Sequence, residues 1–195
     1  MRQRMVLLLL LTLAACHYVP PQMVAQPPAP AAEAAGLRWS EASLAVAPVE
    51  RPDTSAAELW SALNGAPLVS APMFQEALVE SLSNAHLFAA VTREPDPKYD
   101  FSSGPTTIST GYVLSAQIIE QREGGYSATV AVRYMLREAS SGRVVWRDEL
   151  STSYGEAPSL GNVLLPNHAN NSALWEAFKE NIETMIVKLG QVSRP

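Results

Sequence analysis

Between Tyr112 and Thr152 three stretches of alternating apolar and polar residues follow one another, parted by Glu123-Gly124-Gly125 and Ser140-Ser141-Gly142. Successive side chains on a strand point to opposite faces, so a period of two marks a strand with one face buried. In the first stretch Tyr112, Leu114, Ala116 and Ile118 share a face. In the second, Tyr126, Ala128, Val130, Val132, Tyr134 and Leu136 oppose Ser127, Thr129, Arg133 and Arg137. Arg143 to Thr152 forms the third. Short glycine-containing turns between such runs dictate an antiparallel meander with one wet face, and its apolar face must be covered by something else in the chain.

Two amphipathic segments supply that cover. Ser70-Ala71-Pro72 starts a helix, serine as cap and proline in the first turn, where its missing N–H costs nothing. Phe74, Ala77, Leu78, Ser81 and Leu82 then recur at helical spacing, and Asn84 or His86 closes the helix. Near the C-terminus Asn170-Asn171-Ser172 reads as a cap. The helix behind it runs from about Ala173 to Leu189, with Leu174, Phe178, Ile182, Met185, Ile186 and Leu189 on one stripe and Gly190 as the stop. Ser43 to Val49 reads as a first strand ending near Pro48, Leu87 to Val91 as a short strand, and Thr54 to Leu63 as a short helix. Arg93 to Pro105 reads as a loop. The fold class expected is α+β, a two-layer sandwich with a mostly antiparallel sheet and helices packed on one face, forming one domain over 37–195.

The N-terminus follows different rules. Arg2 and Arg4 precede the apolar run Met5-Val6-Leu7-Leu8-Leu9-Leu10-Leu11-Thr12-Leu13, which ends in Ala14-Ala15-Cys16. A basic start, a short apolar run and small residues at the end are the parts of an export signal. The run is too short for a transmembrane helix, which takes about 20 residues to cross roughly 30 Å of hydrocarbon. Leu13-Ala14-Ala15-Cys16 resembles the bacterial lipobox. That resemblance implies residues 1–15 as a signal peptide, cleavage before Cys16, diacylglycerol on its sulfur and usually a further acyl chain on the new amino group. Each buried CH₂ contributes about 0.8 kcal/mol, so two or three chains anchor a protein stably. His17, and not aspartate, follows the cysteine, which by resemblance to enteric sorting implies the outer membrane with the domain facing the periplasm. From Cys16 to Gly36 the chain is rich in proline and alanine and poor in large apolar residues. It reads as a tether, able at about 3.1 Å per residue to reach about 60 Å.

Chemistry-bearing patterns are scarce. The formal charge is −5 and grows more negative once Arg2 and Arg4 leave, with no basic stripe to track phosphates, so nucleic acid is not an expected partner. Cys16 is the single cysteine, and no internal disulfide can form. His17, His86 and His168 stand at no metal-ligand spacing, so no metal and no cofactor is expected. No nucleophile elbow and no glycine-rich phosphate loop occurs, and no catalytic residue is assigned. Asp148 and Glu149 are adjacent on a strand and point to opposite faces, which rules them out as an acid/base pair; Asp148 is expected to pair with Arg133 or Arg137. Trp39, Trp60, Trp146 and Trp175 are read as core. Candidate partner contacts are Val163, Leu164 and Leu165, in the Gly155–Asn167 loop, and Tyr99 and Phe101, in the loop before the meander.

Taken with the lipobox and tether, Pro72–Val91, Gly111–Leu150 and Ala173–Leu189 resemble the auxiliary lipoproteins of ABC-type transport systems. The same blocks are also similar to lipoprotein activators of cell-wall synthesis and to secretion components. The first resemblance implies a non-catalytic adaptor of an envelope lipid-transport complex, recruited through protein contacts, with homo-oligomerisation compatible. The second implies an activator or assembly factor. An envelope hydrolase assembled from loops, around His168 and a carboxylate, is the reading from another class.

Overall fold

The computed structural model describes residues 23–26, 39–51, 69–96, 111–124, 127–155 and 166–192; in the last segment, side chains are described from Ala173. Five strands and two long helices account for most of it. They are β1 (Ser43–Val46), α1 (Ala71–Asn84), β2 (Ala90–Arg93), β3 (Tyr112–Gly124), β4 (Ser127–Glu138), β5 (Val144–Gly155) and α2 (Pro166–Gln191). The strands form one sheet in the order β2-β1-β3-β4-β5. Both helices pack on one face of it, giving the expected α+β two-layer sandwich.

The meander is where the alternation puts it. β3, β4 and β5 pair antiparallel over nearly their whole lengths. Tyr112, Leu114, Ala116, Ile118, Ala128, Val130, Val132, Tyr134 and Leu136 are all buried beneath the helices. Gly142, at φ +70°, makes the β4–β5 turn, where Glu138 N–H donates to Arg143 O at 2.9 Å. On the other side of β3 the sheet turns parallel, since β1 pairs parallel with both β2 and β3. Antiparallel pairing still dominates by length; the two parallel pairings add what the local pattern did not contain.

Several boundaries move for identifiable reasons. β1 ends at Val46 and not Val49, because Pro48 has no N–H for a ladder. The chain continues along β3 even so, with Ala47 and Glu50 N–H donating to Leu114 and Ala116 O, each at 2.9 Å. The expected strand Leu87–Val91 sits three residues later. Leu87 and Phe88 instead plug the core ahead of β2. α2 begins at Pro166, seven residues before the expected start, with proline in the helix's first position. The cap reading of Asn170-Asn171-Ser172 is therefore overturned, and His168 lies in a helix span and not a loop. Gly190 does not stop α2, which runs on to Gln191.

Ser70 caps α1, its Oγ accepting from Met73 N–H at 3.3 Å, and Pro72 follows in the first turn. Removing that cap as Ser70→Ala should cost about 1 kcal/mol, read as a lower urea midpoint at unchanged slope. At the other end His86 takes φ +51°, the left-handed conformation that lets the chain leave the helix. Such a conformation strains any residue with a Cβ, so His86→Gly should raise stability by about 0.5–1 kcal/mol in the same titration.

Trp39 is fully buried, against Phe88 at 5.6 Å and Tyr112 at 5.0 Å between ring centres, and its Nε1–H donates to Leu189 O at 3.3 Å. Phe74 and Phe178 meet at 4.8 Å and join the two helices. Trp146 and Trp175 are half-buried against this core, while Trp60 and the expected helix Thr54–Leu63 lie outside the described residues. Two buried polar side chains stitch the layers together. Gln75 on α1 donates to Val46 O and Glu94 O, each at 2.9 Å, and accepts from Arg93 Nε at 3.1 Å. Asn181 on α2 accepts from Tyr134 Oη at 2.8 Å and donates to Leu150 O at 2.9 Å and Thr152 Oγ1 at 3.0 Å.

One segment contradicts its sequence reading. Met23 and Ala25 lie within the Pro/Ala-rich stretch expected to be tether alone, yet both are 0% exposed and belong to the core. Ala25 N–H donates to the buried Ser81 Oγ of α1 at 2.9 Å. This part of the N-terminal chain is docked on the domain.

Candidate interaction surface

Because both helices occupy one face, the surface displayed among the described residues includes the opposite face of the meander and the outer edge of β5. The register fixes which residues share that face: Ser115 and Gln117 from β3; Thr129, Arg133, Met135 and Arg137 from β4; Arg147, Glu149, Ser151 and Ser153 from β5. Gln117, Arg133 and Glu149 stand directly opposite one another across three strands. Arg133 spans the row, giving Nε and Nη2 to Glu149 Oε2 at 3.1 and 2.8 Å and Nη1 to Gln117 Oε1 at 3.2 Å. Arg137 Nη2 donates to Ser115 Oγ at 3.1 Å, and Thr129 and Ser153 join hydroxyls at 2.9 Å. An exposed pair such as Arg133–Glu149 contributes under about 1 kcal/mol to stability, so its main consequence is to hold charged groups in fixed positions.

Asp148 and Glu149 do point to opposite faces, as their adjacency requires. Asp148 turns to the helix side, and its partner is Lys188 of α2 at 2.7 Å, neither Arg133 nor Arg137. The expected pairing fails because those arginines sit on the other face of β4. The hydrogen bond from Lys188 holds the Asp148 carboxyl below its ordinary range. At the far end of β3, burial pushes the Glu123 carboxyl up, against the opposing hydrogen bond from Gln121 and the charge of Arg51. Burial also pushes the Tyr134 phenol well up, so it serves as a hydrogen-bond donor to Asn181.

The residues singled out from sequence divide sharply. Leu13, Ala14, Ala15 and Cys16 lie outside the described residues, as do Tyr99, Phe101, Val163, Leu164 and Leu165. His86 is exposed at the end of α1. Among the described residues no group of three or more His, Cys, Asp or Glu could hold a metal ion, and no helix is long and apolar enough to cross a membrane. The ladder through Gln117 escaped sequence reasoning, though the Arg133 half of it was visible as a polar residue on the wet face. The β5 edge escaped too, because strand order is not written in local alternation.

No family profile matches this sequence, and no curated protein does. Solved structures do share the fold. Protein XCC0632 from Xanthomonas campestris, of family DUF330, superposes with a TM-score of 0.56 at 15% identity, covering 86% of this chain and 92% of that one. The PelC dodecamer from Paraburkholderia phytofirmans gives 0.50 at 18% identity, with 80% and 91% covered. The hypothetical protein CT253 from Chlamydia trachomatis gives 0.51 at 13% identity, with 78% and 97% covered. At such identities the likeness is one of fold.

Proposed function

We propose that this chain is a bacterial outer-membrane lipoprotein, acylated at Cys16 and facing the periplasm, that serves as a non-catalytic adaptor of an envelope transport complex of the ABC or lipid-transfer kind. The observation that carries the reading is Leu13-Ala14-Ala15-Cys16 placed at the end of the short apolar run, which makes the single cysteine an anchor. The docked Met23–Ala25 segment sharpens it. Seven residue steps separate Cys16 from Met23, and an extended chain covers at most about 3.3–3.6 Å per step, so the domain rides within about 25 Å of the lipid. The reach of about 60 Å read from the tether's composition is thereby cut by more than half.

Recruitment then falls to the ordered polar face of the meander. Self-association belongs to the reading: PelC from P. phytofirmans, which has this fold, is a dodecamer. A photo-crosslinking residue placed at Met135, on the polar face of β4 and away from the β5 edge, in the full-length protein in its native envelope, tests the adaptor role. The expected adducts contain subunits of a membrane transport assembly. Adducts to peptidoglycan synthases would replace the reading with that of a cell-wall activator, and the absence of any protein adduct would contradict recruitment.

A further inference from the structure

The two edges of the sheet are unlike. β2, at one end, is four residues long, a length that offers little for another strand to pair with. β5, at the other end, runs for twelve residues, and among the described residues its only strand partner is β4. It contains no proline and no lysine, and its one irregularity lies near its start, between the positions opposite Leu136 and Arg137. Arg147, Glu149, Ser151 and Ser153 are exposed along it. Long edges are ordinarily blunted by charge, and β5 has the run Arg147-Asp148-Glu149. Yet both carboxylates are already matched within their own chain, Asp148 by Lys188 at 2.7 Å and Glu149 by Arg133 at 2.8 Å. The repulsion that would keep strands away is thus largely cancelled.

We propose that the outer edge of β5 pairs with β5 of a second copy of this chain, antiparallel about a two-fold axis through Leu150. The self-complementarity of the strand selects that register. In an antiparallel pair, directly opposite residues share a face, and like charges set opposite are destabilising. With Leu150 opposite itself, Glu149 faces Ser151, Arg147 faces Ser153, and Asp148 faces Thr152. Trp146 meets Tyr154, two aromatic residues each left only half-buried by the core of one copy. Moving the axis to Arg147, Asp148 or Glu149 sets that charged residue against itself. Moving it to Ser151 loses the aromatic pair and shortens the overlap. Such a contact is isologous, joins two five-stranded sheets into one of ten strands, and leaves the helices of both copies on the same side.

This deepens the self-association within the proposed function, and the test separates the two. Native mass spectrometry of the full-length lipoprotein in detergent first reads the assembly. Differently tagged copies with Arg147→Cys and Ser153→Cys, coexpressed and oxidised, should then form a disulfide-linked dimer. The pair Arg147→Cys with Glu149→Cys, which reports the register centred on Asp148, should give at least tenfold less. Ser151→Glu sets two acidic pairs across the seam and should weaken association at least tenfold, whereas Ser151→Lys faces Glu149 and should not. Ser151 is exposed, so neither change disturbs the core. A monomer under all conditions overturns both the interface and self-association. Assemblies indifferent to the charge at position 151, with equal crosslinking by both cysteine pairs, overturn the β5 interface alone. Crosslinks from β5 into a different protein overturn it as well.

Discussion

Replacing Asn181 by leucine is expected to lower the unfolding free energy by about 3 kcal/mol, even though leucine keeps the size and branching of the side chain and adds apolar character. Asn181 is fully buried on the face of α2 that meets the sheet, and it engages three groups at once: the Tyr134 phenol, the Leu150 carbonyl and the Thr152 hydroxyl. Tyr134 is itself 0% exposed, so its hydroxyl finds no water when the asparagine leaves. Each buried polar group stranded in this way costs about 1–3 kcal/mol; leucine strands the phenol and also takes the second donor from the Leu150 carbonyl, which stays paired with Val132 in the ladder. For a domain of this size the loss corresponds to a fall in Tm of about 10 °C. The double variant Asn181→Leu with Tyr134→Phe should recover part of it, because removing both partners relieves the orphaned hydroxyl. Thermal melts of the four proteins in that cycle measure the coupling. Strictly additive losses would mean that the two residues do not act as a pair.

Met23→Ala is expected to destabilise the domain by about 2–4 kcal/mol, the range for deleting a buried methionine side chain from a packed core. In a stretch that served only as spacer the same change would fall within about 0.5 kcal/mol. The contrast is sharp because the neighbours differ: Met23 and Ala25 are buried, while Gln26 is exposed. Gln26→Ala should accordingly be silent. Ser81→Ala, which takes the acceptor from Ala25 N–H, should weaken the same docking. Urea titrations of the four proteins separate a docked strap from a free leader. The functional consequence follows from length. Under the proposed acylation of Cys16, a held strap would leave only a short link between the bilayer and the domain.

Local periodicity carried much of this fold into view. The meander, the Ser70 cap and the buried stripe Leu174, Phe178, Ile182, Met185, Ile186 and Leu189 are all products of nearest-neighbour physics, in which a residue's spacing declares its face. Non-local choices were not legible. Nothing in Ser43–Val46 says that it lies between β2 and β3, since parallel neighbours are brought together by connections that leave no mark on the strand itself. Met23 was invisible for a related reason: one apolar residue among prolines has no period. Asn181 did leave a trace, falling three residues after Phe178 and four before Met185, within the apolar stripe, where a polar side chain calls for a buried partner. The start of α2 was misread because Asn170-Asn171-Ser172 is good capping chemistry, and a proline four residues upstream outweighed it. The candidate contacts chosen from sequence were apolar loop residues. Those residues lie outside the described ones; among the described residues the display is a polar strand face, where the signal is alternation and charge matching.

The central claim is that Cys16 joins the protein to the outer membrane through lipid. Intact mass spectrometry of the mature protein extracted from its native envelope tests it most directly. The account predicts a chain that begins at Cys16 and is heavier by a diacylglyceryl group, with or without a third acyl chain, and a Cys16→Ala form that loses this mass and leaves the membrane fraction. A mature chain with a free thiol at residue 16, or one beginning at any other residue, would contradict it.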